Sequence, residues 1–387
     1  MASSVARAIG PARLERRSAQ PRVRWTSRAA ASVRGAAAPP ELVTIPYERL
    51  ADVEGGELDA LIAAAYGPHG LGVLTVSHVP GFSAARQELL ELGPVLAGLP
   101  EDRLAAYEDP LSRYAFGWSF GKEVLQDGVA DTLKGSFYAN PLHDRPTEGQ
   151  PGAQALLQRL PGLCRPNIWP TEDVPELREK FRHLGRMMAD AGDLLFQHCD
   201  KYVFKSWNSE YNPERLTAVL RRSRCPKARL LHYFPPSAAR RPPESPDGPV
   251  WCAWHTDHGS LTALTSAMLS GLDPGAAFDP RAGLYVRTAR GDSVQVRVPS
   301  DHVAFQLGES AQVHSGGVLR ATPHFVRACS GGGGGVSRTT FAVFLQPNWD
   351  EPMDSPPGAT ESDVCVGRWR PGIDFGTFTE ETFAGYY

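Results

Sequence analysis

The order of apolar and polar positions divides the chain into a region of mixed elements followed by a region of short strands. Residues 41–48 and 71–77 are rich in β-branched side chains and predict two short strands. The segment 84–96 predicts a helix that breaks at Pro94. Residues 175–203 predict one long helix, because apolar side chains recur there every three or four residues and form a stripe that can pack against a sheet. The stripe consists of Leu177, Phe181, Leu184, Met188, Ala191 and Leu195.

After residue 228 the pattern changes to short apolar segments with glycine and proline between them. Nine such segments in succession predict a β-sandwich, barrel or jelly roll. They are residues 229–234, 251–255, 261–266, 284–288, 293–298, 302–307, 311–314, 324–328 and 338–345. Three further stretches have the composition of loops, namely 237–249, 273–282 and 331–335.

Composition narrows the classes of protein to which this chain can belong. A chain of 387 residues with 42% apolar and 21% charged residues is long and apolar enough for a buried core, which argues against general disorder. A net charge of −3 gives no electrostatic reason to expect nucleic acid or an acidic membrane as a partner. Because no run of about 18 apolar residues occurs, we expect a soluble protein.

The six cysteines are scattered along the chain without a CxxC pair. This arrangement disfavours a disulfide scaffold or a zinc ribbon and favours a reducing compartment. The simpler interpretation of most of them is that they are small buried hydrophobic residues.

Residues 1–40 differ in composition from the rest of the chain. They contain eight arginines, no lysine and a single acidic residue, Glu15, among many alanines and serines. Such leaders are typical of transit peptides, and we expect a plastid more than a mitochondrion as the destination. The alternative is a disordered tail on a cytoplasmic protein. The predicted organisation is therefore a leader at 1–40, a mixed region at 41–225 and a β-rich region at 226–387, with 41–387 forming one α+β unit.

The segment Trp254-His255-Thr256-Asp257-His258-Gly259 carries the most specific chemistry. On a strand, residues two apart project from the same face, so His255 and Asp257 can reach one point. An imidazole and a carboxylate at this spacing supply two ligands of a 2-His-1-carboxylate metal site, which leaves the other face of the metal open. By itself the tripeptide is weak evidence, since a surface histidine beside an aspartate is more common.

A third ligand should come from a later strand. His324 begins a predicted strand after a turn at 315–317, and it is the better candidate. His314 is the alternative for this position. His258 would point to the face opposite Asp257, so we expect it near the metal site and not among the ligands.

Arg338 and Thr340 also share one face of a predicted strand. An arginine with a hydroxyl two residues away can bind a carboxylate through charge-assisted hydrogen bonds. The alternative for Arg338 is a structural salt bridge.

Taken in order, these motifs resemble the isopenicillin N synthase-like group of 2-oxoglutarate/iron(II) oxygenases. The resemblance extends over roughly residues 41–387. The motifs that carry it are His255-Thr256-Asp257, Ser315-Gly316-Gly317 followed by His324, the Arg-x-Thr at 338–340, and the C-terminal segments 375–378 and 385–387. It implies a double-stranded β-helix (jelly roll) core with flanking helices, the long helix packing outside it.

The resemblance also implies the chemistry. His255, Asp257 and His324 match the family's iron ligands, and Arg338 and Thr340 match its contacts to the far carboxylate of 2-oxoglutarate. The expected cofactor is Fe(II), with 2-oxoglutarate as cosubstrate and ascorbate as an additional reductant. The expected activity is hydroxylation or desaturation of a small organic substrate by a monomeric enzyme that uses O2 and needs neither nucleic acid nor membrane.

The sequence departs from the family at His232-Tyr233-Phe234-Pro235-Pro236, where relatives carry two tyrosines before the prolines. The second tyrosine hydroxyl is lost here unless Tyr233 replaces it. Two alternatives therefore stay open: an oxidase of the same fold that takes its electrons from substrate or ascorbate, and a jelly roll that binds a metal or ligand without turnover.

The substrate cannot be read from the sequence. The segment 112–140 predicts a loop, either an ordinary one or one that lines the substrate mouth. In the second case its candidate residues are Tyr114, Trp118, Lys122, Lys134 and Tyr138.

Overall fold

The computed structural model describes residues 41–123, 130–207, 211–235, 237, 242–271, 279–329 and 335–384. The predicted leader at 1–40, most of the predicted loops at 273–282 and 331–335, and the C-terminal residues 385–387 lie outside the described residues. The role of the leader and its destination stay predictions.

The strands of the described residues form two β-sheets. The strands are β1 Val43–Pro46, β2 Val73–Ser77, β3 Gly117–Phe120, β4 Lys134–Ala139, β5 Lys227–Tyr233, β6 Glu244–Ser245, β7 Gly248–His255, β8 Leu261–Thr265, β9 Met268–Ser270, β10 Gly283–Arg287, β11 Ser293–Val296, β12 Val303–Leu307, β13 His324–Arg327 and β14 Ser337–Leu345.

The helices flank these sheets. They are α1 Tyr47–Ala51, α2 Asp59–Tyr66, α3 Phe82–Leu90, α4 Leu92–Ala97, α5 Glu101–Ala105, α6 Ala153–Arg159, α7 Pro161–Cys164, α8 Leu177–Trp207, α9 Arg215–Arg222, α10 Glu309–His314, α11 Glu361–Val364 and α12 Phe375–Ala384, with a short 3-10 helix at Pro110–Ser112.

The larger sheet has the order β1-β2-β12-β8-β14-β5-β4-β3, and β9 also pairs with β14. The smaller sheet has the order β11-β10-β13-β7-β6. Within the described residues β1 and β2 are parallel and the other pairs are antiparallel. This mixed architecture of a large sheet with flanking helices confirms the predicted α+β jelly roll.

The long helix α8 covers the outer face of the larger sheet, as its apolar stripe predicts. The approach is closest at Gly192, where a side-chain Cβ would lie 2.6 Å from Leu345 Cδ1. Nearer the start of the helix, the ring of Phe181 meets that of Phe341 edge to face, with centroids 4.8 Å apart. The main apolar core therefore lies between α8 and the sheet, and the opposite face of the sheet is left for the interior of the roll.

Several predicted elements need correction. Residues 311–314 are not a strand but belong to helix α10. The predicted helix at 84–96 is two helices, α3 and α4, and Pro94 lies inside the second, near its start, where the missing N–H is not needed. The long helix begins at Leu177 and continues to Trp207. The predicted loop at 112–140 contains strands β3 and β4, which extend the larger sheet beyond β5.

Strands from both sides of residue 225 share the larger sheet, since β4 pairs with β5 and β2 with β12. The boundary at 225/226 therefore runs through one folded unit and stays a sequence-based prediction. Among the described residues, no helix is long and apolar enough to span a membrane.

Candidate metal centre and the adjoining cavity

The structure brings His255, Asp257 and His324 together. His255 ends β7, Asp257 lies in the loop that follows, and His324 begins β13 directly opposite His255 in the strand pairing. One ligand atom from each residue lies within 4.8 Å of the other two. Asp257 Oδ1 is 3.7 Å from His255 Nε2 and 3.9 Å from His324 Nε2. These separations suit three donors that surround one metal ion with bonds of roughly 2 Å.

The route by which Asp257 reaches this point differs from the predicted one. Strand β7 ends at His255, so Asp257 is placed by a loop and not by the alternation of a strand. The first turn of α10 holds that loop, because the backbone N–H of Glu309 donates to the carbonyl of Asp257 at 2.8 Å. Gly308 makes this close approach possible, since a Cβ there would lie 2.1 Å from the carbonyl oxygen of Gly259.

Hydrogen bonds behind the three side chains fix their orientation. Thr262 donates its hydroxyl to Asp257 Oδ2 at 2.5 Å. His255 Nδ1 lies 2.8 Å from the carbonyl oxygen of Ala253, which accepts its proton and leaves Nε2 for a metal. His324 Nδ1 lies 2.6 Å from the side-chain amide nitrogen of Gln306, and the oxygen of that amide has no partner among the described residues. Turning that amide by 180° lets the oxygen accept the Nδ1 proton, and Nε2 of His324 is then also free.

The charges in the cluster suit cation binding. Burial and the neighbouring His255 lower the pKa of His324 to about 4, so its imidazole is neutral at neutral pH. Burial would raise the pKa of Asp257, but the charged imidazole of His255 and the hydrogen bond from Thr262 contribute to a net lowering, which keeps the carboxylate ionised. Burial also opposes the charged form of His255, yet contact with Cys252 and Asp257 raises its pKa, so metal binding there would release a proton.

A bulge in β7 brings Cys252 to the same side as His255. The pairing with β13 shifts by one residue between these positions, and Cys252 Sγ lies 3.8 Å from His255 Nδ1. Bulges of this kind often redirect a side chain beside an active site. Four of the five other cysteines are buried, which agrees with the small buried residues expected from the sequence.

Arg338 faces the interior of the roll, as its position on β14 predicts. Its guanidinium carbon lies 5.0 Å from the ring centroid of Tyr233 and 5.6 Å from that of Trp251. Within the described part of the chain, no carboxylate lies within ion-pair distance of it, and its buried Nη1 has no hydrogen-bond partner. Thr340 lies on the same face, but its hydroxyl already donates to the carbonyl of Thr265 at 3.2 Å.

Tyr233, and not Phe234, is the residue of its strand that reaches Arg338. The pairing of β5 with β14 places Tyr233 directly opposite Arg338. Burial lowers the pKa of Arg338, and Tyr233 opposes that effect. The ring of Phe234 instead packs edge to face on Phe120 and on His232. A tyrosine hydroxyl is therefore present beside Arg338.

A cavity of about 630 Å³ reaches the metal ligands at Asp257, and His258 also lines it. Of the candidates in the segment 112–140, Tyr114, Lys122 and Tyr138 line it. The other two do not. Trp118 is buried against Gly135, and Lys134 is buried in ion pairs with Glu123 and Asp131.

Two cationic residues that the sequence did not single out, Lys227 and Arg229, also line this cavity. Both lie on β5, two positions apart, so they share its interior face. The signal that could have revealed them is the pair of basic residues on one face of an apolar strand.

The other two histidine candidates do not belong to the ligand cluster. His314 is buried, and its Nε2 lies 3.2 Å from the carbonyl oxygen of Pro352. His258 stays outside the ligand set, in agreement with the prediction, and stacks on Phe375 at 5.7 Å between centroids.

Comparisons with known proteins support the fold. No protein-family model matches the chain. The UPF0676 protein of Schizosaccharomyces pombe is 28% identical over 148 residues, which cover 37% of this chain and 41% of that protein. The chain thus matches about two fifths of the length of that curated relative.

Among solved structures, a Caulobacter crescentus protein described as a 2OG-Fe(II) oxygenase family protein has a TM-score of 0.64 at 16% identity, covering 90% of this chain and 100% of that one. A full-length Neurospora crassa protein, solved in complex with alpha-KG, has a TM-score of 0.63 at 18% identity. The match covers 92% of this chain and 100% of the Neurospora protein. The rice dioxygenase for auxin oxidation has a TM-score of 0.56 at 18% identity. The match covers 89% of this chain and 96% of the rice protein. The chain therefore has the fold of the 2OG-Fe(II) oxygenases, as its motifs predicted.

Proposed function

We propose that this protein is an Fe(II)- and 2-oxoglutarate-dependent oxygenase that hydroxylates or desaturates a small organic molecule, with O2 as the second substrate. The observation that carries the proposal is the convergence of His255, Asp257 and His324 within 4.8 Å beside an open cavity. Two imidazole nitrogens and one carboxylate oxygen form the donor set of non-haem iron oxygenases.

The surroundings of Arg338 support 2-oxoglutarate as the cosubstrate. An inward-facing guanidinium with a buried N–H and no carboxylate partner among the described residues is unfavourable unless an anion joins it. The far carboxylate of 2-oxoglutarate is such an anion, and Tyr233 offers a hydroxyl next to it. The Neurospora crassa protein of the same fold was solved with alpha-KG, and another, JOX2, with 2OG and Fe.

Iron and 2-oxoglutarate, when bound, would supply the oxidising power for attack on an unactivated C–H bond. The protein residues have simpler tasks. His255, Asp257 and His324 hold the metal from one side, while Thr262 and Gln306 keep two of those ligands in place. The walls of the cavity hold the organic substrate on the open side and keep bulk water away.

Succinate formation tests this proposal. The full chain is supplied with Fe(II), 2-oxoglutarate and ascorbate, and succinate and O2 consumption are measured with and without candidate substrates. We expect succinate that requires both iron and 2-oxoglutarate and that disappears in His324→Ala. Substrate oxidation without 2-oxoglutarate would establish the oxidase alternative. Metal binding with no O2 consumption under any condition would establish a binding protein without turnover.

A further inference from the structure

The cavity that reaches Asp257 is lined by Lys227, a cation without a carboxylate partner among the described residues. Four basic side chains line it, and three of them have a carboxylate partner. The pairs are Arg113 with Glu380 at 3.0 Å, Lys122 with Glu108 at 3.0 Å, and Arg229 with Glu123 at 2.6 Å. Lys227 is the fourth, and in the described part of the chain no carboxylate lies within ion-pair distance of its Nζ.

Lys227 is held in place by groups that do not cancel its charge. It is 9% exposed, its Nζ donates to the carbonyl oxygen of Gly162, and it lies 4.6 Å from the ring centroid of Phe116. The nearby thiols of Cys164 and Cys225 are neutral, because burial raises the pKa of each. Burial lowers the pKa of Lys227 to about 8, so the ammonium form still dominates at neutral pH. A lysine has three donors, and one carbonyl oxygen does not satisfy them.

His258 contributes a second polar group to this cavity. Its Nε2 is buried and makes no hydrogen bond to any described residue. His258 and Lys227 line the same cavity. The imidazole is held by its neighbours Phe375 and Phe383. It can thus offer a hydrogen bond to a ligand without changing position.

The rest of the lining is mainly aromatic and aliphatic. Tyr114, Tyr138, Phe344 and Phe383 contribute rings, and Leu163 adds an aliphatic side chain. A volume of about 630 Å³ admits a molecule of a few fused or linked rings and excludes a folded protein segment. The lining therefore suits a small, mainly apolar molecule that carries one negatively charged group.

We propose that the organic substrate is a small aromatic or alicyclic carboxylate whose anionic group binds Lys227, with His258 as a second hydrogen-bonding partner. This inference rests on the proposed function, since it names the substrate class of that same site. The carboxylate of the substrate binds at Lys227, and that of 2-oxoglutarate binds at Arg338. The two anions are thus recognised by different residues on different strands.

Equilibrium binding to the full chain tests the inference without turnover. The probes are phenylacetate, 3-phenylpropanoate and 1-naphthoate, each compared with its primary amide by isothermal titration calorimetry. We expect the wild-type chain to bind the carboxylates about tenfold to a hundredfold more tightly than the amides, the range of one or two charge-assisted hydrogen bonds. Lys227→Met should reduce that ratio to about one, and Lys227→Arg should restore most of it. Lys122→Met is the matched control, because Lys122 lines the same cavity but is already paired with Glu108, and it should leave the ratio unchanged.

The ratio of carboxylate to amide affinity separates recognition from folding, since a partly unfolded variant would lose both affinities together. If the wild-type chain binds no carboxylate of the set, binds carboxylate and amide equally, or keeps its preference in Lys227→Met, the inference is wrong. Titration of the same proteins with Mn(II) and 2-oxoglutarate tests the proposed function separately. If the chain binds neither Mn(II) nor 2-oxoglutarate but still prefers carboxylates over amides, the proposed oxygenase function is wrong and the anion site at Lys227 is supported.

Discussion

Replacing Arg338 by glutamine separates a cosubstrate site from a structural arginine. The guanidinium faces the interior between Tyr233 and Trp251, and its Nη1 has no partner in the described part of the chain. Glutamine keeps a polar side chain of intermediate length but removes the charge and the planar set of N–H donors. The variant therefore removes what an anion needs while leaving the strand pairing of β14 unchanged.

The expected size of the effect follows from the contacts. A hydrogen bond to a charged group contributes roughly 1.5–3 kcal/mol, and about 1.4 kcal/mol corresponds to a factor of ten in affinity. The guanidinium can donate a second hydrogen bond to the same carboxylate, and glutamine would lose part of that contact too. Arg338→Gln should therefore raise the dissociation constant for 2-oxoglutarate by about tenfold to a thousandfold. Stability should change little in the absence of ligand, because no ion pair among the described residues is broken. The loss of one partner of a buried salt bridge would instead cost about 3–5 kcal/mol.

The assay is calorimetric titration of 2-oxoglutarate into chain loaded with Mn(II), combined with urea unfolding of the metal-free protein. Arg287→Gln is the control, because Arg287 also stacks on an aromatic ring, with its guanidinium carbon 4.1 Å from the ring centroid of Trp254, but is already paired with Asp247 at 3.5 Å. Mn(II) affinity should be equal in wild type and both variants. An unchanged 2-oxoglutarate constant together with a large loss of stability would refute the reasoning and make Arg338 a structural residue.

Three further predictions follow from local contacts. Thr262→Val removes the hydroxyl that donates to Asp257 at 2.5 Å. Mn(II) binding measured by calorimetry should become about tenfold to a hundredfold weaker. Equal affinity would show that the contact has no effect on metal binding. Gly192→Ala places a Cβ 2.6 Å from Leu345 and should reduce the free energy of unfolding in urea by about 1–3 kcal/mol, and a neutral result would mean that α8 can move away from the sheet. Burial lowers the pKa of His314 to about 3, so below about pH 6.5 the unfolded chain takes up a proton that the folded chain excludes, and stability falls with falling pH. His314→Gln should make that slope shallower by about 1.4 kcal/mol per pH unit between about pH 6 and pH 4, whereas an equal slope would show that His314 is charged in the folded chain.

Many strands of the roll were predictable because they are short apolar segments bounded by glycine, proline and polar residues. Strands β12 and β14 lie close to the predicted segments 302–307 and 338–345, and both are largely buried on both faces. Residues 311–314 do not form a strand, although they are short and apolar, because such a run fits a helix and a strand equally well. Here the run is a helix because its N-terminal backbone donates to the loop at Asp257 and Gly259, a long-range requirement that no local pattern contains.

Strands β3 and β4 were missed for a related reason. The residues of β4 are buried on both faces, since one face meets the core and the other lines the cavity region, so their polarity does not alternate. Glycine at 117 and 135 is also typical of a loop, yet Gly135 is needed because a Cβ there would lie 2.2 Å from the ring of Trp118. The ion pair of Arg229 with Glu123 joins residues far apart in sequence, and only the pairing of β3, β4 and β5 brings them together.

The comparison of Tyr233 with Phe234 shows why matching a sequence motif, without the strand register, can misplace a site residue. Counting back from Pro235-Pro236 equates Phe234 with the family's second tyrosine and suggests a lost hydroxyl. A shift of one residue along a strand moves a side chain to the opposite face, and the pairing of β5 with β14 puts Tyr233 opposite Arg338. The hydroxyl is therefore on the interior face, and Phe234 packs against Phe120. An oxidase that does without 2-oxoglutarate was favoured by that missing hydroxyl, so this alternative loses its basis in the sequence, and the affinity of Arg338 for the cosubstrate becomes the deciding measurement.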